Sequence, residues 1–282
     1  MLLPLARLGP PSFLTFETGG RIAYRDLGSS DGRTVVLMHG GGVDGRMWGR
    51  QIDPLLGQGY RVIVPDTRGH GASSTPDGPF RSHEDFATLL EHLKTGPVAA
   101  VGLSMGARIA GDLALTRPDL VDRVVLSGAG IGTHDFIDPW ALEVSTELGR
   151  LQHELDAEGW VGSFLRFASG PSRDADEVDP LVMDELRLMT IDVLAHHLPA
   201  DPAAAGPMIE FLSGTHARAA SLAVPLLVVV GALDSTDHQR FAADAVAAAP
   251  NGQQVVLAGA AHYPNMEQPG EFTAALLNFL DQ

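Results

Sequence analysis

Apolar residues in this chain fall into short runs separated by glycine-rich turns and by longer stretches of helical spacing. Thr34–Met38, Arg61–Asp66, Val98–Leu103, Val121–Ser127 and Pro225–Gly231 are nearly continuous apolar segments, as strands buried on both faces require. A further strand is predicted over Gln253–Ala258. Between these runs, residues 46–56, 83–94, 239–249 and 271–280 place apolar side chains at helical spacing, as do Ala107, Ile109, Ala110, Leu113 and Ala114. Residues 14–28 alternate around Gly19-Gly20, which predicts a half-exposed edge hairpin. Strands alternating with helices across short links predict an α/β fold, a mostly parallel sheet with helices on both faces.

That rhythm stops near Ile131. From there to about His216 the spacing is helical, with Pro-rich joints and no clear strand, and large side chains gather: Trp140, Trp160, Phe164, Phe167, Met183, Met189 and Phe211. The pattern predicts a helical lid over 132–217 inserted into a core built from 1–131 and 218–282, with the Ala/Pro patch at 199–207 as a joint inside the lid.

Composition narrows the function. A chain of 282 residues with 45% hydrophobic and 19% charged residues can bury a substantial core. No apolar run approaches the ~18–20 residues of a membrane span, and the start lacks a basic segment followed by a long apolar one, so no signal peptide is expected. Zero cysteines exclude disulfides, thiol nucleophiles and thiolate metal sites; a cytoplasmic location is the expectation. A net charge of −16 argues against nucleic acid or anionic membrane as partner; a small-molecule substrate is the expectation that goes with the candidate chemistry. The oligomeric state stays open. A lysine-dependent mechanism would have to use Lys94, which is poorly placed.

The chemistry centres on Gly102-Leu103-Ser104-Met105-Gly106, where a strand pattern gives way at once to a helix pattern. With 32 glycines, such a pentad arises by chance about 0.2 times, so context must decide. A second match, Gly28-Ser29-Ser30-Asp31-Gly32, is followed by a strand and reads as a loop. A serine hydroxyl needs a base, and the base needs an orienting group. Asp234 follows one apolar strand and His262 the next, so Ser104, Asp234 and His262 all lie at carboxyl ends of strands, where open α/β sheets collect their catalytic groups. Asp237 competes with Asp234 but reads as the cap of the following helix. Of the 11 histidines, His83, His92, His134, His153, His196, His197, His216 and His238 read as surface or structural residues. No ligand spacing surrounds His196-His197, and neither metal nor cofactor is expected. Gly40-Gly41-Gly42 lacks the features of a phosphate loop and reads as an oxyanion hole, pairing the amide of Gly41, with Gly42 as next choice, with that of Met105.

Taken together, His39-Gly40-Gly41-Gly42, Asp66-Thr67-Arg68-Gly69-His70-Gly71, the Ser104 pentad, Gly231-Ala232-Leu233-Asp234 and the segment His262–Pro269 resemble the α/β-hydrolase superfamily over all of the chain but the lid. Within it, the Asp66–Gly71 and His262–Pro269 segments resemble 3-oxoadipate enol-lactonases and related small esterases. The triple glycine is closer to the meta-cleavage-product C–C hydrolases, which usually carry Asn and Trp near the places of Leu103 and Met266. Dehalogenases and epoxide hydrolases of this fold use an aspartate where Ser104 stands, and hydroxynitrile lyases a lysine where Tyr263 stands. The resemblance implies an α/β-hydrolase fold and a serine esterase or lactonase with a catalytic triad. Ser104 would carry an acyl group, His262 act as base and Asp234 fix the imidazole. Gly42, Trp140 and Phe164 would contact an apolar or aromatic substrate. The rivals are a cyclase or C–C bond-cleaving lyase on the same residues, and a small-molecule-binding protein on the same scaffold.

Overall fold

The computed structural model describes residues 9–17, 19–132, 135–197, 209–214 and 218–282. The apolar runs form one eight-stranded sheet. Its strands are β1 (Ser12–Thr15), β2 (Arg21–Leu27), β3 (Thr34–Met38), β4 (Arg61–Pro65), β5 (Val98–Leu103), β6 (Val121–Ser127), β7 (Leu226–Gly231) and β8 (Gly252–Leu257). They lie in the order β1-β2-β4-β3-β5-β6-β7-β8. The β1–β2 hairpin and the β2–β4 pair are antiparallel and every other pair is parallel. This is the α/β-hydrolase fold that the motifs imply.

Because side chains alternate across a strand, one run supplies two cores. Val35, Leu37, Val62, Val64, Val101, Val125, Leu227 and Val229 face one side. There they meet Trp48, Ile52 and Leu55 around α1 (Gly49–Gly57), together with Phe272, Leu276 and Phe279 of α9 (Pro269–Leu280). Val36, Met38, Ile63, Ala100, Val124, Leu126, Leu226 and Val228 face the other. They meet α2 (Ser82–His92), α3 (Met105–Thr116) and α7 (Thr236–Ala248). A short helix, α8 (Pro264–Glu267), which the sequence pattern does not predict, precedes α9.

Between β6 and β7 the chain forms α4 (Pro139–His153), α5 (Ala157–Ser169) and α6 (Pro180–His197). Among the described residues of this stretch the one β contact is an isolated bridge between Ile209 and Phe80. The patch at 199–207 lies outside the described residues. Val161, Phe164, Leu165, Val182, Met183, Leu186 and Met189 of this insertion join the core cluster of α1 and α9. Among the described residues no helix is long and apolar enough to cross a membrane.

The insertion is tied to the start of α7 by a reciprocal pair of carboxylates. Asp138 caps α4 by accepting from Trp140 N at 3.0 Å and reaches Thr236 N at 2.9 Å and its hydroxyl at 2.7 Å. Asp237 accepts from the amides of Ile137 and Asp138, both at 2.8 Å. The expectation that Asp237 caps its own helix is therefore corrected. Ser235 is the N-cap of α7, its hydroxyl accepting from His238 N. Asp237 is the second residue of α7, and its side chain swings to the free amides at the insertion's entrance.

Two substitutions separate close packing from open space. A Cβ on Gly106 would lie 2.1 Å from the Met38 carbonyl oxygen, whereas one on Gly149, inside α4, meets nothing within 4 Å. Gly106→Ala is expected to cost more than about 3 kcal/mol in urea unfolding, with Gly149→Ala stabilising by roughly 0.5–1 kcal/mol. Asp237→Ala is expected to destabilise by about 1–3 kcal/mol, as the two amides lose a buried acceptor. A loss below half a kilocalorie would show that water replaces that acceptor freely.

Candidate active site

Ser104 stands between β5 and α3 with φ 54° and ψ −112°, a left-handed conformation that side chains rarely adopt. Ser104 N donates to the Ser127 carbonyl at 2.7 Å, and Arg108 N donates to the Ser104 carbonyl. The flanking glycines are sterically required. A Cβ on Gly102 would lie 2.1 Å from the Gly106 carbonyl oxygen, besides the Gly106 contact described above. The turn leaves Ser104 partly exposed over the N-terminus of α3. The second pentad, around Ser29 and Ser30, is an exposed turn between β2 and β3.

The Gly41 loop faces this turn. A Cβ on Gly41 would lie 3.9 Å from that of Met105. The amide of Gly42 is already spent, donating to His70 Nε2 at 3.3 Å. Among the described residues the Gly41 amide has no acceptor, which makes it the donor free to pair with Met105 N. His70 is a neutral strut, its pKa pushed down to about 3 by burial and by His39. His39 accepts from Thr67 N at Nε2, so Nδ1 carries the proton and donates to the Gly40 carbonyl at 2.7 Å. Asp66 completes the support by accepting from Gly45 N and Ala72 N.

On the other side, His262 Nδ1 lies 2.9 Å from Asp234 Oδ2, and both residues are buried. The imidazole rests on Gly128, where a Cβ would lie 2.8 Å from its Cε1. Gly128 follows Ser127, whose carbonyl holds Ser104. Among the described residues His262 Nε2 has no hydrogen-bond partner, Ser104 Oγ included. The nitrogen is thus free to accept a hydrogen bond. Ala261 N donates to Glu267 Oε1 at 2.9 Å, and Arg173 reaches Glu267 Oε2 at 2.7 Å, anchoring the His262 loop to the chain just past α5.

Asp234 has a second histidine. His238 Nδ1 lies 2.9 Å from Oδ1, which also accepts from Ser235 N at 2.7 Å. Burial is the strongest influence on Asp234 and opposes its ionisation. The charges and hydrogen bonds of His238 and His262 outweigh it and hold the carboxyl below the usual carboxylate range. Asp234, His238 and His262 hold their possible ligand atoms within 4.8 Å of one another. Both Nδ1 atoms of this group are engaged with the carboxylate.

The insertion supplies an aromatic roof. Phe167 packs 4.4 Å from the His262 ring, and Trp140 stacks on Phe167 at 6.4 Å. Among the described residues Trp140 meets the histidine through Phe167, a ring the sequence pattern places among the large side chains of the lid but not at the site. Trp160 and Phe164 stack at 5.4 Å and press on Gly42, where a Cβ would lie 3.1 Å from each. Phe164 also meets the Tyr263 ring edge-on at 6.2 Å. His238 and Gly128 were likewise missed. A histidine four residues past the acid, one turn into a helix, is the signal that could have found the first. His134 and His216 lie outside the described residues.

Residues 35–276 match the model of the alpha/beta hydrolase family. An uncharacterized protein of Mycobacterium tuberculosis is 30% identical over 296 residues, spanning 99% of this chain and 84% of the relative. A pimeloyl-[acyl-carrier protein] methyl ester esterase of Yersinia pseudotuberculosis is 28% identical over 251 residues, 88% of this chain and 93% of that one. Among solved structures, the enol-lactonase from Burkholderia xenovorans LB400 superposes with a TM-score of 0.77 at 23% identity, covering 96% of this chain and 100% of its own, a likeness of fold.

The electrostatics carry a pH signature for any reaction in which His262 accepts a proton. Burial, reinforced by the neighbouring His238, pushes the His262 pKa down against the pull of Asp234. His262 then stays neutral as pH falls through 6.5, the ordinary imidazole value, and charges only below it. The acid limb of kcat/KM is expected to have its midpoint below 6.5, and a midpoint above that value would contradict the assignment.

Proposed function

The chain belongs to the alpha/beta hydrolase family, and from that premise we propose that it is a serine hydrolase cleaving a carboxylic ester or lactone of an apolar or aromatic small molecule. The observation that carries the reading is the strained Ser104 backbone on the sheet that also presents the buried Asp234–His262 pair. His262 Nε2 takes the proton of Ser104 as its Oγ attacks the carbonyl carbon. The oxyanion collects the amides of Met105 and Gly41 at the positive end of α3. His262 then protonates the leaving alcohol, and the acyl-Ser104 ester is hydrolysed by a water that the same nitrogen deprotonates. Asp234 stabilises the imidazolium in both halves. The esterase among the relatives supports ester chemistry. The rings of Phe167, Phe164 and Trp160 support an apolar substrate, and Trp140 backs them from behind Phe167.

A fluorophosphonate probe followed by peptide mapping tests the nucleophile, and hydrolysis in ¹⁸O-water tests the reaction. One labelled oxygen in the acid product is expected; its absence would favour cyclisation or another non-hydrolytic outcome. Ser104→Ala and His262→Ala are each expected to lower kcat by ~10⁴-fold or more, and Asp234→Asn by something like ~10⁴-fold with the fold intact. Ser30→Ala should leave turnover unchanged. Normal ester hydrolysis by Ser104→Ala would sink the mechanism.

A further inference from the structure

The buried carboxylate of Asp234 is gripped from both sides, and only one grip belongs to the mechanism above. His262 Nδ1 meets Oδ2 at 2.9 Å, while Oδ1 receives Ser235 N at 2.7 Å and faces His238 Nδ1 at 2.9 Å, a nitrogen that Ser235 Oγ also approaches to 2.9 Å. His238 sits in the first turn of α7, its backbone amide held by the N-cap hydroxyl of Ser235, so its ring projects from a rigid element. Phe136, Phe167 and Phe241 surround that ring at 5.7, 5.6 and 5.9 Å, each nearly perpendicular to it. The His262 ring lies 4.6 Å away.

A box of three phenylalanine rings would be filled as well by a fourth phenylalanine. What the imidazole adds is a nitrogen directed at Oδ1. This matters because the last torsion of an aspartate is soft, its carboxylate turning between broad minima. A single donor, the adjacent Ser235 N, fixes one oxygen without fixing the plane. A second donor on the same oxygen, from a ring fixed in the first turn of α7, sets the plane and so the place of Oδ2. We propose that His238 is a positioning residue of the hydrolytic centre, which by donating from Nδ1 to Asp234 Oδ1 holds Oδ2 in line with Nδ1 of His262. His238 touches neither substrate nor the reacting atoms, and acts through Asp234 alone. The inference rests on the serine-hydrolase reading.

The test compares three variants of the full chain on p-nitrophenyl butyrate, with the rate of fluorophosphonate labelling at Ser104 as a substrate-independent measure. His238→Phe keeps the ring and removes the donor. It is expected to lower kcat and the labelling rate by about 10- to 100-fold, with KM within about twofold, as loss of a hydrogen bond to a charged group implies. His238→Asn places an amide nitrogen near the position of Nδ1 and is expected to recover activity to within about threefold of the parent. Should His238→Phe fail to fold, His238→Ala takes its place, with the same drop expected relative to His238→Asn. Equal activity in the Asn and donor-free variants, or a donor-free variant within threefold of the parent, would overturn the proposal. Ser104→Ala separates the two readings. If it is inactive while His238→Phe is fully active, only the role of His238 falls; if it hydrolyses the ester normally, the serine mechanism falls and this inference with it.

Discussion

The close contact between the amino end of α3 and the ends of β5 and β3 is the constraint on which the rest of the site depends. Ser104 is held at φ 54°, a conformation that costs of order 1–3 kcal/mol and relaxes unless its surroundings forbid it. They forbid it because two backbones approach where only glycine fits. Gly102 passes under Gly106, and Gly106 passes over the Met38 and His39 carbonyls. The same approach brings the Gly41 loop against Met105. The nucleophile turn and the neighbouring amide loop are thus one packed object, and a displacement of either strand end disturbs both.

A second constraint is electrostatic. A carboxylate buried as deeply as Asp234 would be protonated unless positive charge or donors compensate for lost water. Here two imidazoles and one amide do so, which keeps the acid anionic beside a histidine whose own burial favours neutrality. The pair therefore rests as carboxylate and neutral imidazole, with the carboxylate placed to stabilise an imidazolium should the ring take up a proton. Away from this point, His39 and His70 brace the glycine loop, and Asp66 ties the same loops together.

The inner strands were legible because a strand buried on both faces leaves an unbroken apolar run, and β3 to β7 match the expected runs to within a residue or two. Ser104 directly follows such a run, and Asp234 and His262 come within five residues of the ends of β7 and β8, which is what makes the three stand out along the chain. What escaped depends on how distant elements meet. Phe167 rather than Trp140 lies on His262, and that follows from the face α5 turns toward the sheet. Asp237 looks like a cap by its place in α7, yet the free amides it serves are at residues 137 and 138. Gly128 carries no local mark, since its need for a missing side chain comes from an imidazole over a hundred residues later. His238 is one histidine among 11 until the carboxylate beside it is known to be buried.

The helices between β6 and β7 look separable in the chain but are not so in the core. Val161, Phe164, Val182 and Met189 share one continuous apolar cluster with Trp48, Phe272 and the inner face of the sheet. Ion pairs fasten the same seam, Arg46 to Asp192 at 2.6 Å and Arg50 to Glu185 beside it. Exchanging these helices for those of a relative would thus mean exchanging half of an interior, with α1 and α9 as the mismatched half. A workable exchange would have to carry along the two core helices on which the insertion lies.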